Sequence, residues 1–204
     1  MLGTYAAALL VIGASVPIGA AVLWASGRRE WSWLAPALGL AVLTVVAWLL
    51  VRLPGEGVTA LIGVGALALA CAAALPRVGF GREQLLDGAA TAFLALLAVS
   101  IPFAVEGHFG ILGTGFNVDM SQHLFAAAWI ADPLASAPEL IDQGYPVGPH
   151  ALAVAGSQLA AGNLVSGFSG VTIAVPVVAA LTALVATREL GPKRGIVAAL
   201  LVAL

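Results

Sequence analysis

The stretch from Gly107 to Asn163 carries the side chains best suited to chemistry, because it holds all three histidines, several carboxylates and no Lys or Arg. Within it, Asp119 and His123 are four residues apart, so on a helix they share one face. A carboxylate there can act as a general base or bind a cation, and the histidine can hold phosphate or share a metal. The same pair also has a purely structural interpretation, because an acidic residue in a first turn complements the helix dipole.

Five further residues of this region are candidates for binding a substrate. Gln122 lies on the same helix, at the edge of the face that carries Asp119 and His123. Tyr145 opens a rigid turn that leads to His150 at the start of the next helix. The positive end of the helix dipole disfavours a charged imidazole at His150, so a neutral ring that faces a polar head group is expected. Glu106 and His108 emerge from the preceding apolar run and complete the set.

We predict no cofactor and no metal-ligating residue. A metal site normally has three or four protein ligands, and an Asp-His pair falls short of that number. A divalent cation is possible at Asp119, but the sequence does not support it.

Turn and cap signals divide the stretch into elements. Asn117 as N-cap and Asp132-Pro133 as the stop predict a helix over Val118–Ala131. Ser136 and Glu139 have the spacing of a capping box, which predicts a short helix that stops at Gly144. Residues 150–163 are too short a run to span a bilayer, and we expect a helix that lies on or dips into the outer interface.

Composition places these elements in a membrane protein. The chain is 61% hydrophobic and only 9% charged, with a mean hydropathy of +1.07, whereas soluble domains are about 25% charged. No basic patch supports nucleic-acid binding, so the lipid bilayer is the expected partner. The predicted fold class is all-α, a polytopic transmembrane helical bundle with short interfacial helices in one long external loop.

Five apolar runs and the start of a sixth define the predicted spans. These are residues 2–25, 31–51, 58–75, 85–105, 165–187 and 195–204, with the long loop at 106–164. The sixth run stops after about ten residues, so we expect a single transmembrane domain over 1–204 that belongs to a longer protein.

The distribution of Lys and Arg predicts the orientation. Along the five connections the basic count alternates high, low, high, zero, high, and short basic loops stay in the cytoplasm. This pattern predicts a multi-pass plasma-membrane protein with an outside N-terminus and an external loop 106–164.

The order of features in this region resembles the first external loop of the GT-C superfamily of polytopic glycosyltransferases. Asp119 matches the loop aspartate of that family, and Tyr145-Pro146-Val147-Gly148 matches the turn before its interfacial helix. The resemblance implies a polyprenyl-phosphate-linked sugar donor, an acceptor on the external face of the cell envelope, and Asp119 as the catalytic base. It covers residues 85–188. The sequence departs from the family pattern in two places: it has Val147 where proline is more usual, and it lacks a second carboxylate beside Asp119. The family's donor-binding loops would follow Leu204.

Two other classes of function stay open. A transporter or flippase usually has ionisable residues inside its spans and repeated halves, and these spans hold almost no ionisable residue away from their ends. A membrane assembly subunit without chemistry would need no particular residue at Asp119 or His123.

Overall fold

The computed structural model describes residues 1–107, 118–133, 136–187, 191, 196–197 and 200, so the candidate His108 lies outside the described residues. Across these ranges the chain is helical and forms no strand, which confirms the all-α class. The helices are α1 (Leu2–Ala25), α2 (Ala35–Leu50), α3 (Glu56–Ala72), α4 (Arg82–Glu106), α5 (Val118–Ala131), α6 (Glu139–Asp142), α7 (Gly148–Ser157) and α8 (Leu164–Thr187), with 3₁₀ turns at Leu75–Val78 and Gln158–Ala160.

Three of these helices, α1, α4 and α8, are long and apolar enough to cross a membrane. They coincide closely with the predicted spans 2–25, 85–105 and 165–187. Helices α2 and α3 have 16 and 17 residues, which at about 1.5 Å per residue is shorter than the ~30 Å hydrocarbon core. The predicted sixth span falls largely outside the described residues.

The predicted span 31–51 is not one continuous helix. Its first four residues form a turn, in which Ser32 accepts hydrogen bonds from the backbone N–H groups of Leu34, at 3.3 Å, and Ala35, at 3.0 Å. Trp31 is buried, with its ring centroid 4.4 Å from that of Phe80 in an edge-to-face contact. An apolar pattern alone did not reveal this turn, because the residues that pack against a tight turn are as hydrophobic as those of a span.

The chain forms two compact units. Unit 1 comprises Met1–Val11, Leu43–Gly65 and Pro102–Thr172, and unit 2 comprises Ile12–Val42, Ala66–Ile101 and Ile173–Leu204. The second and fourth connections therefore belong to unit 1, and the first, third and fifth belong to unit 2. Of the eight Lys and Arg residues in the sequence, Arg52 alone falls in unit 1.

Helix α7 lies inside unit 1, and every residue from His150 to Ser157 is buried. Small residues permit this burial, because α8 brings Gly167 directly against the α7 backbone at Ala153. Helix α3 likewise brings Gly57 close to Val154. A helix is therefore present in this part of the chain, and neighbouring helices cover it, while its position at the outer interface stays a prediction.

In unit 2 the first cluster of buried side chains joins α1, the start of α2 and the 3₁₀ turn, and it includes Leu23, Trp31 and Val78. A second cluster joins α4 to α8 through Ala95, Val177 and Leu181. Unit 2 therefore has its own apolar core.

We expect Gly167→Ala to lower the free energy of unfolding by about 1–3 kcal/mol, because the added Cβ would overlap the backbone of Ala153 and Ser157. Gly13→Ala is the matched control, since a Cβ at Gly13 in α1 meets no atom within 4 Å. That control should be neutral or slightly stabilising. Thermal unfolding in detergent measures both variants, and equal midpoints would contradict the close approach of α8 to α7.

Candidate functional site

Helix α5 places Asp119 and His123 on one face, and its bounds are those predicted from the sequence. Oδ1 of Asp119 lies 3.6 Å from Nε2 of His123, which is longer than a hydrogen bond but close enough for electrostatic interaction. The side chain of Asp119 is 75% exposed and that of His123 is 17% exposed. The carboxylate therefore faces solvent while the imidazole lies behind it.

His150 supplies the second imidazole, from the first turn of α7. Its Nε2 lies 3.0 Å from Nδ1 of His123, within hydrogen-bond distance. The two rings are 5.2 Å apart between centroids and inclined by 29°. Because α5 packs against α7, this hydrogen bond joins residues that are 27 positions apart in the sequence.

Tyr145 borders both imidazoles, and the end of α6 determines its position. Gly144 adopts a left-handed conformation with φ of +74°. The Gly144 N–H donates to the carbonyl of Ile141 at 3.0 Å, and the Tyr145 N–H donates to the carbonyl of Leu140 at 2.9 Å. This pair of hydrogen bonds is the Schellman pattern of a helix end. The predicted stop at Gly144 is therefore confirmed. The Tyr145 ring centroid lies 5.1 Å from that of His123.

The predicted capping box at the start of α6 is wrong. Pro138 occupies the N-cap position, and no side chain caps the helix there. The carboxylate of Glu139 instead accepts a hydrogen bond from the side-chain amide of Gln143 at 2.8 Å. Pro138 has the extended backbone that a cap position needs, so the helix begins without help from Ser136.

Burial keeps His150 neutral at physiological pH. Only 4% of the residue is exposed, and this desolvation lowers its pKa from 6.5 to about 4. The positive charge that His123 can acquire lowers the pKa further, while a backbone interaction with Val147 opposes the decrease. Nδ1 of His150 is buried and has no hydrogen-bond partner among the residues that the structure describes.

The other candidates lie outside this cluster of rings. Gln122 is exposed on α5, and Glu106 is the exposed last residue of α4. His108 lies outside the described residues. Among the residues that the structure describes, no three His, Cys, Asp or Glu side chains are placed to hold one metal ion.

An apolar groove of about 890 Å³ adjoins the cluster, with Tyr145 as the residue common to both. Its walls come from α2, α5 and the turn before α7, and they include Val45, Trp129 and Ile130. Arg52 is the only Lys or Arg among the lining residues described. Its guanidinium lies over the ring of Trp48, 3.7 Å from the centroid, in a cation–π contact.

Sequence reasoning missed this pair of residues as part of a site. The signal was present, because Trp48 and Arg52 are four residues apart at the end of an apolar run, where their side chains meet. In the sequence, Trp48 falls inside the apolar run 31–51 and Arg52 counts only as one basic residue of the second connection.

The hydrogen bonds leave Asp119 as the accessible proton acceptor of the cluster. Nδ1 of His123 is paired with His150, and its Nε2 faces Asp119. Of the two ring nitrogens of His150, Nε2 is paired with His123 and Nδ1 is buried. Nδ1 of His123 and Nε2 of His150 occupy each other, so a contact of either of these two nitrogens with a substrate would require the pair to separate.

No protein-family model matches the chain, and comparison with curated proteins and with solved structures found no similar protein.

The free energy of unfolding should fall as the pH drops from about 6.5 to about 4. In this window the unfolded chain binds a proton at position 150 that the folded chain does not bind. Stability is complete above pH 6.5, and the loss is at most about 1.4 kcal/mol per pH unit.

His150→Gln should remove this part of the pH dependence, because it has no group that titrates. Thermal unfolding in detergent between pH 4 and 8 gives both curves, and the difference between them isolates His150 from the carboxylates. Parallel curves for the two proteins would show that His150 is not desolvated.

Proposed function

We propose that the chain acts in a membrane glycosyltransferase, which moves a sugar from a polyprenyl-phosphate donor to a hydroxyl group of an acceptor on the external face. Asp119 is the general base. The observation that carries the proposal is the exposed Asp119 carboxylate, held beside an imidazole whose other nitrogen is already paired.

In the proposed reaction, Asp119 removes the proton from the acceptor hydroxyl as its oxygen attacks the anomeric carbon of the sugar. The bond between that carbon and the lipid phosphate breaks, and the phosphate leaves with the bonding electrons. A positioned base contributes about 10²–10⁴-fold to such a step.

The groove beside Tyr145 supports a substrate that has an apolar part and an anionic part. Its walls are mainly aliphatic and aromatic, and Arg52 supplies one positive charge among them. A guanidinium that rests on an aromatic ring keeps its N–H donors free at the edge, where they can bind a phosphate. The groove therefore suits an isoprenoid chain whose phosphate lies near Arg52.

The distribution of Lys and Arg among the connections supports the proposed orientation. The long connection 106–164, which carries Asp119, holds no Lys or Arg, whereas the first, third and fifth connections hold seven of the eight. Short basic connections are retained in the cytoplasm, so the long connection would face outward. An external acceptor would then have direct access to Asp119.

Asp119→Asn should reduce sugar transfer by about 10²–10⁴-fold, because the amide cannot accept the proton. The measurement is transfer of radiolabelled sugar in membranes that contain the full protein and a panel of polyprenyl-phosphate sugars. Asp132→Asn is the matched control, since Asp132 is an exposed carboxylate at the other end of α5. Undiminished transfer by Asp119→Asn would exclude Asp119 as the base, and inactivity of the wild-type protein toward every donor would contradict the function.

Arg52→Gln should raise the KM for the lipid donor about tenfold or more, because a charge-assisted hydrogen bond to phosphate contributes about 1.5–3 kcal/mol. Arg29→Gln is the control, since Arg29 also lies over a tryptophan, 5.4 Å from the ring centroid of Trp24. Equal KM values for both variants would show that the groove does not bind the phosphate.

A further inference from the structure

We propose that the chain binds the phosphate of an anionic glycerophospholipid in the region where helices α1 and α3 end. The site consists of Trp24, Arg29 and Arg77, which together are called the Trp24 cluster. These three residues belong to unit 2, whereas the groove beside Arg52 belongs to unit 1. The inference therefore does not rest on the proposed function.

Two positive charges meet at one aromatic ring in this cluster. The guanidinium carbons of Arg29 and Arg77 lie 5.4 and 5.6 Å from the ring centroid of Trp24. Both distances are within the range of about 6 Å over which a cation is attracted to an aromatic face. The two guanidinium groups cannot be farther apart than the sum of these distances, so one small anion can lie close to both.

Packing in unit 2 holds the two arginines in the same region. Leu23 and Val78 are the sequence neighbours of Trp24 and Arg77, and both are buried in one apolar cluster. The connections after α1 and α3 also approach each other, because a Cβ added at Gly79 would lie 3.5 Å from the carbonyl oxygen of Arg29. The Trp24 cluster is therefore assembled by the core of the unit.

The positive charge of the cluster is not neutralised by the part of the chain that the structure describes. Within those ranges, neither Arg29 nor Arg77 forms an ion pair with a carboxylate, although Glu30 follows Arg29 directly. Both guanidinium groups are exposed. Two like charges at one ring repel each other, and an anion that contacts both would offset this repulsion.

Both arginines also retain hydrogen-bond donors for such an anion. Arg29 donates to the backbone carbonyl of Trp24 at 3.3 Å, and Arg77 donates to that of Ala73. Each of these bonds uses one of the five N–H groups of a guanidinium. The remaining donors suit a phosphate, which guanidinium groups bind through charge-assisted hydrogen bonds.

The position of the cluster along α1 identifies the source of the phosphate. Trp24 is the next-to-last residue of α1, a helix long and apolar enough to cross a membrane. Tryptophan at the end of a span lies at the level of the lipid head groups. Leu69, four residues before Ala73 on α3, is 78% exposed and provides apolar surface for an acyl chain. The cluster thus suits a lipid better than a free phosphate.

The charge of the cluster selects among phospholipids. Phosphatidylcholine has the same phosphate as phosphatidylglycerol, but two guanidinium groups would repel its quaternary ammonium group. Phosphatidylglycerol has an uncharged glycerol in that place and keeps a net negative charge. Basic residues at a membrane surface attract anionic lipids in this way.

The first test is a calorimetric titration of the full protein, in an uncharged detergent, with dioctanoyl phosphatidylglycerol. We expect saturable binding of one lipid per chain, and binding of dioctanoyl phosphatidylcholine that is weaker by about fivefold or more. Glycerol 3-phosphate, which has no acyl chain, should not bind over the same range of concentration. Equal affinity for the two lipids would overturn the proposal, and equally tight binding of glycerol 3-phosphate would assign the site to a free phosphate instead.

Substitutions locate the binding site. Arg29→Gln and Arg77→Gln should each weaken the binding of phosphatidylglycerol about fivefold, and the double variant about 25-fold. Arg82→Gln is the matched control, because Arg82 is an exposed arginine of the third connection outside the cluster. An equal loss in Arg82→Gln would show only general attraction to a positive surface. A loss confined to Arg52→Gln would place the lipid in the groove of unit 1, and either result would overturn the proposal.

Thermal unfolding in the same detergent separates lipid binding from a purely structural role of the arginines. Loss of their hydrogen bonds to backbone carbonyls lowers the midpoint without lipid, but only loss of binding removes the rise that the lipid causes. We expect phosphatidylglycerol to raise the midpoint of the wild-type protein and not that of the double variant. Arg77→Lys keeps the charge, so it should keep most of the rise, and it serves if the double variant fails to fold. Full loss of the rise in Arg77→Lys together with Arg82→Gln, or an undiminished rise in the double variant, would contradict the site. No sugar donor is used, so failure of the proposed function leaves these outcomes unchanged.

Discussion

The hydrogen bond between Nδ1 of His123 and Nε2 of His150 is the contact on which the arrangement of the site depends. It connects an imidazole near the surface of α5 to one enclosed in α7. Loss of the partner would leave a buried nitrogen unsatisfied, at a cost of about 1–3 kcal/mol, so the pair stabilises a single relative position of the two helices. The position of Asp119, one turn earlier on α5, follows from that constraint.

The hydrogen bond is enclosed because the backbones around α7 approach each other closely. Gly167 brings α8 against the peptide groups of α7, and Gly156 lies against Ala7 of α1. Larger side chains at these positions would separate the helices and admit water beside His150. The low pKa of this histidine is therefore a consequence of small residues elsewhere in the unit. A ten-residue helix is about 15 Å long, too short to span a bilayer, and protein encloses it instead.

Several features that depend on neighbouring residues were predictable from the sequence, although the capping box at Ser136 was not. The bounds of α5, the extent of α1 and the end of α6 at Gly144 follow from cap residues, apolar length and a glycine in the left-handed conformation. In the site, the pairing of Asp119 with His123 followed from helical spacing alone.

Other features depend on residues that are distant in the sequence, and local patterns cannot reveal them. The hydrogen bond from His123 to His150 crosses 27 positions. The turn at Trp31 depends on packing against Phe80, and the groove depends on α2 meeting the turn that follows α6. The role of Arg52 was missed for the same reason, since its importance comes from the walls around it.

Burial of His150 also means that a long part of the folded chain carries no formal charge. No Asp, Glu, Lys or Arg occurs between Asp142 and Arg188, and the only group there that titrates near neutral pH is this imidazole, whose pKa burial lowers. A charged residue substituted among the buried positions of α7 would add the cost of placing an ion in apolar surroundings. The enclosed part of this helix therefore accepts only neutral side chains.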